Sequence, residues 1–321
     1  MFDVVTLGEI LIDFTPCGKS KAGQRIFEQN PGGAPANVLA CLNKFGKKTA
    51  FIGKVGKDVH GAFLKDTLEN SGINTDGLIE DENVFTTLAF VTLSDSGERS
   101  FSFARKPGAD TCLEECELRK DIIASSKVFH IGSLSLTDEP ARSTTIEALE
   151  VAKVEESIIS YDPNYRAPLW KNTELAIAGM RSVVPYVDVM KISDEETALL
   201  TDIADPKGAA ERLVEMGVPL VAVTLGADGA LVCTKEGSRI VPGFKANMVD
   251  TTGTGDSFWG GFLNQLLESG KRPKDVILEE AVEFARFGNA VASLCVEKRG
   301  AIPAMPNLEE VYARMNADNR F

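Results

Sequence analysis

The sequence predicts an α/β protein, with a central mostly parallel sheet, helices on both faces and a small separate β-sheet attached to it. Two observations carry this expectation. From residue 127 onward, short apolar strands alternate with segments of helical period: strands at 127–132, 158–162 and 187–192, and helices through 141–151 and near 173–183. Strands separated by helices pair in parallel and are covered on both faces. Between residues 85 and 105 the period falls to two, with Thr87, Ala89, Val91 and Leu93 set against Leu88, Phe90 and Thr92, then Ser96-Gly97, then residues 101–105. That is a hairpin outside the βα rhythm.

The remaining elements follow in order. Residues 2–8 form an apolar strand ending at Gly8, and Leu11-Ile12-Asp13-Phe14 comes next. Residues 15–30 are polar and irregular. The stretch Asn30-Pro31-Gly32-Gly33-Ala34-Pro35-Ala36-Asn37 leads into a short helix marked by Val38, Leu42 and Phe45 and closed by Gly46. Residues 49–58 spell strand, turn and helix start, and Phe63, Leu64 and Leu68 give a helical face that ends near Gly72. Residues 220–230 are a buried strand, a glycine turn and the start of a hairpin, and 281–296 form a buried helix of small residues containing Asn289. Residues 11–36 and 85–110 are expected to make the small sheet, and 1–10, 37–84 and 111–321 the core.

Composition narrows the function. A net charge of −13 over 321 residues disfavours a nucleic-acid partner, which would need clustered Lys and Arg. No apolar run reaches bilayer length, and the first residues lack the basic start of a signal peptide, so a cytoplasmic location without a membrane partner is expected. The six cysteines are scattered; Cys112 and Cys116 stand four apart with no further Cys or His to complete a zinc site. His60 and His130 are too few for a histidine-rich metal centre or a histidine-dependent hydrolase. A P-loop is also missing, because Asp13 stands where the first glycine before Gly18-Lys19-Ser20 would be required.

The most informative stretch is Asp250-Thr251-Thr252-Gly253-Thr254-Gly255-Asp256-Ser257-Phe258. A turn containing Gly253 and Gly255 runs into a helical pattern of Phe258, Phe262 and Leu266 with Trp259, Leu263 and Leu267. The first amides of a helix have no internal partner and carry partial positive charge, so this turn can cradle an anion. Asp256 then has two readings. It is either a helix cap or a general base that accepts a hydroxyl proton while the amides hold the group under attack.

This nonapeptide resembles the C-terminal signature of the ribokinase-like, or PfkB-type, carbohydrate kinases, with Thr254 in place of the usual Ala. The Gly-Gly-Ala-Pro-Ala-Asn stretch at 32–37 matches the family's N-terminal signature in the form most similar to fructokinases, and the likeness extends from Gly8 to Pro303. The resemblance implies a ribokinase-like core with the small sheet as a lid and a possible homodimer surface. It implies ATP-dependent phosphorylation of a sugar primary hydroxyl, D-fructose to D-fructose 6-phosphate being the expected case. Asp256 would be the base, and the amides of Gly253, Thr254 and Gly255 the anion hole.

By the same resemblance Asp13, Gly32, Gly33, Asn37, Arg105 and Arg166 would meet the sugar. The residues alone leave Asp13 a strand-end turn residue, Arg105 an exposed hairpin charge, and Arg166 a structural partner of a carboxylate such as Asp162. Lys191, Ser193, Thr224, Gly226, Gly229 and Asn289 would meet ATP, although Asn289 also suits a core hydrogen bonder. Glu196 would organise Mg²⁺ through water, or it is one of three acids favouring a helix start. Asp250, Thr252, Cys295, Lys298 and Gly300 would surround a monovalent cation such as K⁺. The alternatives are a kinase for another sugar, such as 2-keto-3-deoxygluconate, and a catalytically silent sugar-binding regulator.

Overall fold

The computed structural model describes residues 1–93 and 99–318. Thirteen strands and ten α-helices are described. The strands are β1 (Phe2–Leu7), β2 (Leu11–Lys19), β3 (Arg25–Gly32), β4 (Thr49–Gly56), β5 (Asn74–Asp81), β6 (Leu88–Leu93), β7 (Arg99–Ala104), β8 (Ser126–Ile131), β9 (Ile158–Tyr161), β10 (Val189–Ser193), β11 (Leu220–Thr224), β12 (Gly229–Thr234) and β13 (Gly237–Pro242). The helices are α1 (Ala34–Lys44), α2 (Val59–Asn70), α3 (Lys120–Ala124), α4 (Ala141–Val154), α5 (Thr173–Ser182), α6 (Thr197–Thr201), α7 (Pro206–Glu215), α8 (Thr254–Ser269), α9 (Leu278–Cys295) and α10 (Leu308–Asn316).

Nine strands form the main sheet in the order β13-β12-β11-β10-β9-β8-β1-β4-β5. All its pairs are parallel except β11 with β12 and β12 with β13, which make the hairpin expected after Thr224. Alternation along β1 explains the two covering layers. Val4 packs into one apolar cluster with α1, α8 and α9, whereas Val5 and Leu7 pack into the other with α4, α5 and α7. Adjacent side chains of a strand point to opposite faces, so a strand with apolar residues on both faces must be covered twice.

The other four strands form a separate sheet in the order β3-β2-β6-β7. The period-two stretch is antiparallel as the pattern requires, with Leu88 opposite Ala104 and Leu93 opposite Arg99. The Ser96-Gly97 turn lies outside the described residues. The polar stretch 15–30, which showed no regular period, completes this sheet by pairing β3 with β2. Phe90 stacks on Phe14 at 5.1 Å and meets Phe27 edge-on, giving the small sheet its own aromatic packing. Among the described residues no helix is long and apolar enough to cross a membrane.

Candidate active site

The parallel strands of the main sheet end on one side, and their C-terminal loops carry the polar residues that the sequence singles out. Glu9 follows β1, residues 162–166 follow β9, Ser193 ends β10 with Asp194 to Glu196 after it, and Thr224 ends β11. Clefts in open α/β sheets lie at these ends. Here they open into a cavity of about 450 Å³, within the size of small-molecule sites.

Gly253 is the N-cap of α8, with φ +73°, and a Cβ there would collide with Ala301. Only glycine meets both demands. Asp256 lies in the first helical turn and makes no capping bond. Its carboxylate is instead 6% exposed and held from both sides: Asn37 Nδ2 donates to Oδ2 at 2.8 Å, and Asn164 Nδ2 donates to Oδ1 at 2.9 Å. Burial pushes its pKa up and the two amide donors oppose the rise. The carboxylate is thus more basic than one in water and fixed in direction. Asn164 itself takes a left-handed backbone, φ +47°, in the turn after β9.

Of the other carboxylates that line the cleft, two have strongly raised pKa values. Burial raises the Asp13 pKa to about 6, with Asp250 and Asp256 adding repulsion and Arg166 opposing it. Glu9 is 3% exposed, and burial raises its pKa to about 7. Lys191 supplies the compensating charge, paired with the buried Asp162 at 2.9 Å. Burial disfavours its charge, but Asp162, Glu196 and Asp256 outweigh that and hold its pKa above the ordinary value. Its ammonium lies beside Gly255, in the turn that opens α8. A lysine there places positive charge next to a helix N-terminus, which suits an anionic group.

Of the residues expected at the site, Asp13, Gly33, Asn37, Arg166, Lys191, Ser193, Thr224 and Glu196 line this cavity, together with Asp250, Thr252, Gly253, Gly255, Asp256 and Gly300. Gly32 ends β3 against the Asp13 carboxylate. Thr254 does not line the cavity, and its hydroxyl is buried without a partner among the described residues. Arg166 is exposed, and the carboxylate expected as its structural partner, Asp162, pairs with Lys191 instead. Glu196 uses both oxygens as a brace, accepting the Tyr165 amide at 2.7 Å and the Ser193 amide at 2.8 Å. Asp250 ties two loops together, accepting from the Thr252 amide and hydroxyl and from the Gly300 amide.

Arg105 requires a correction. It is neither an exposed hairpin charge nor a wall of the cleft; it is 8% exposed and bonded to Asp110, the Thr137 hydroxyl and the Leu134 carbonyl. Its neighbour Phe103 lines the cavity instead. Asn289 also lies away from it, donating to the carbonyls of Val241 and Pro242. Lys298 pairs with Glu310, and the Cys295 thiol is buried 4.0 Å from the Thr252 carbonyl. Gly226 and Gly229 flank a second hollow, lined by Ala227, Gly243, Phe244, Lys245, Ala246, Asn247 and Glu297. Among the described residues no three His, Cys, Asp or Glu cluster to hold a metal ion. Sequence reasoning missed Glu9 and Asn164, although Asn164 stands between Asp162 and Arg166, both of which it singled out.

A fixed, buried carboxylate beside a helix N-terminus and a lysine suits transfer of an anionic group to a hydroxyl. Similarity to known proteins agrees. The chain belongs to the pfkB family of carbohydrate kinases, whose model it matches over residues 1–308. It is 44% identical over 312 residues to Fructokinase-2 of Oryza sativa subsp. japonica, covering 95% of this chain and 91% of that protein. Among solved structures it is similar to the fructokinase of Xylella fastidiosa with bound ATP, at TM-score 0.89 and 32% identity over 98% of this chain and 99% of that one. It is likewise similar to the fructokinase of Vibrio cholerae O395 bound to fructose, ADP and calcium ion, at TM-score 0.88 and 32% identity over 98% and 99%.

Proposed function

We propose that this ATP-dependent carbohydrate kinase phosphorylates the C6 hydroxyl of D-fructose. The reading rests on Asp256, whose two oxygens are each fixed by an asparagine at the mouth of α8. Asp256 takes the proton as the sugar oxygen bonds to the γ-phosphorus of ATP, and the bond from that phosphorus to the ADP oxygen breaks. The amides of Gly253, Thr254 and Gly255 and the Lys191 ammonium receive the charge that develops on the phosphoryl oxygens. Asp13 and Asn37 accept and donate to the remaining hydroxyls, the sort of pairing that a polyol offers. ATP would extend from this cavity toward the hollow beside Gly226 and Gly229. Its far end would lie near the segment that Asn289 fixes.

The donor set suits a metal that arrives with the nucleotide. Mg²⁺ keeps most of its waters and takes phosphate oxygens, so it needs no dedicated cage, and Glu196 would meet it through water. Bound there, Mg²⁺ neutralises phosphate charge. The loops that Asp250 ties offer carbonyls around Thr252, Cys295, Lys298 and Gly300 to a monovalent cation. Residues 11–36 and 85–110 we assign to a lid, because Leu11, Asp13, Val91 and Phe103 line the cavity from that sheet. Its closure would exclude water from the transfer. The same sheet would also offer a surface for a homodimer.

The fructose similarity of the relatives favours this acceptor, and the deciding assay is a panel of hexoses, ribose and 2-keto-3-deoxygluconate with ATP, with products identified by phosphorus NMR. Fructose 6-phosphate as the preferred product is the expected result. Phosphorylation of the keto-acid alone would overturn the choice and make Arg166 the anchor of a carboxylate. Sugar binding without turnover of ATP would make the protein a silent regulator.

A further inference from the structure

Glu9 sits in the turn between β1 and β2 at the wall of the cleft. One of its oxygens supports the fold, since Oε1 accepts the amide of Ala34, the first residue of α1, at 3.0 Å. The other, Oε2, is buried with no hydrogen-bond partner among the described residues. The turn it supports is specific. Gly33 has φ +117°, and a Cβ there would collide with the Glu9 carbonyl oxygen, so the loop before α1 is laid directly on this residue.

The neighbouring cation acts on the carboxylate through space alone. Arg105 turns its guanidinium to Asp110, Thr137 and Leu134, and none of these hydrogen bonds reaches Glu9. The adjoining wall is similar. Leu7 pairs with Ile131, so the chain leaving β8 runs beside the chain leaving β1. There Leu134 lines the cleft, and the hydroxyls of Ser133 and Ser135 on either side are buried without partners among the described residues. Once ionised, above its raised pKa of about 7, the Glu9 carboxylate can only accept hydrogen bonds, and leaving a buried acceptor unmet is unfavourable.

We propose that Glu9 is a specificity-determining residue, whose Oε2 accepts a hydrogen bond from a sugar hydroxyl other than the one phosphorylated. The inference rests on the kinase reading above. Asp256 serves the reacting hydroxyl, and Glu9 selects acceptors by a second hydroxyl on the same molecule. Discrimination of this kind is strong, since a substrate lacking the hydroxyl leaves the acceptor buried and unmet.

The test is steady-state kinetics of wild type and Glu9→Gln with ATP and with fructose, 1-deoxyfructose, 3-deoxyfructose and 4-deoxyfructose. Glutamine keeps an oxygen for the Ala34 amide but offers an NH₂ in place of Oε2. Glu9→Gln should raise KM for fructose by about tenfold and leave KM for ATP unchanged. On the one deoxy sugar that lacks the partnered hydroxyl, it should lose nothing relative to wild type. Glu9→Asp, which keeps the charge and draws it back, is the second variant and should weaken fructose in the same selective way. Equal losses for every sugar, or a fall in kcat with KM unchanged, would reduce Glu9 to a support for α1 and overturn the proposal. Unchanged kinetics would overturn it as well. Wild-type turnover of fructose is measured first, so failure of the kinase reading shows there and failure of this inference shows only in the variants.

Discussion

Arg105 with Asp110 and Asp256 with its two asparagines are both buried charges, and they are connected in opposite ways. The Arg105–Asp110 pair is closed. Its guanidinium reaches Asp110, Thr137 and the Leu134 carbonyl, and Asp110 also takes the Thr87 hydroxyl, all behind the cleft wall. The Asp256 carboxylate is held by neutral donors, with no cation bonded to it among the described residues, and it faces a cavity. A buried charge bonded directly to an opposite charge rigidifies a fold, while one bonded to neutral donors, with Lys191 and Arg166 acting on it only through space, stays available to a ligand. The same contrast separates Lys191, which is paired yet faces the cavity, from Arg105, which is paired and does not.

The largest effect that would sharpen this contrast is on stability. Arg105→Leu strands Asp110 as an unpaired buried charge and should cost about 3–5 kcal/mol in urea unfolding, with turnover per folded molecule near wild type. A selective loss of sugar affinity with stability intact would return Arg105 to the cleft. Next in size is Asn164→Gly, which keeps the left-handed turn and removes one donor to Asp256. A hydrogen bond to a charged group is worth about 1.5–3 kcal/mol, so kcat should fall roughly tenfold or more. The acidic limb of the pH–rate profile should move to higher pH, because a lost donor lets burial raise the Asp256 pKa further.

Asp13→Asn should act smallest and in two directions. The folded pKa of Asp13 is raised to about 6 from 3.8, so its carboxylate is a stability penalty present in full above pH 6 and lost as pH falls below 3.8. The variant should therefore be more stable than wild type by about 1–3 kcal/mol at neutral pH, with the gain vanishing in acid, while KM for the sugar rises. A loss of stability at neutral pH would show that Asp13 is a structural group like Asp110.

How much of this was legible in the sequence depended on distance along the chain. The turn at Gly253 and Gly255, Asp256 and the helix that follows are contiguous, so local period and capping rules placed them together. The βα rhythm after residue 127 was equally local, and α4 and α5 fall where the apolar period put them. The contacts that make Asp256 a site are not local. Asn37 lies 219 residues away and Asn164 92 residues away, and only folding brings their amides to the two oxygens. Asn164 gave a weak signal, since its left-handed backbone belongs to the turn after β9 and no local rule aims its side chain. Arg105 misled because its sequence neighbours look like a hairpin edge, whereas Asp110, five residues on, draws it inward through the turn at Gly108. Glu9 fell between two predicted strands and was not singled out; its tie to Ala34 spans 25 residues.

The most direct measurement takes both readings from one variant, Asp256→Asn: turnover of fructose with ATP, and the urea unfolding midpoint. The account predicts kcat lower by roughly 10²–10⁴, nucleotide affinity nearly unchanged, and a midpoint at or above that of wild type. Turnover close to wild type, or a loss of folding stability that accounts for all the lost activity, would contradict it.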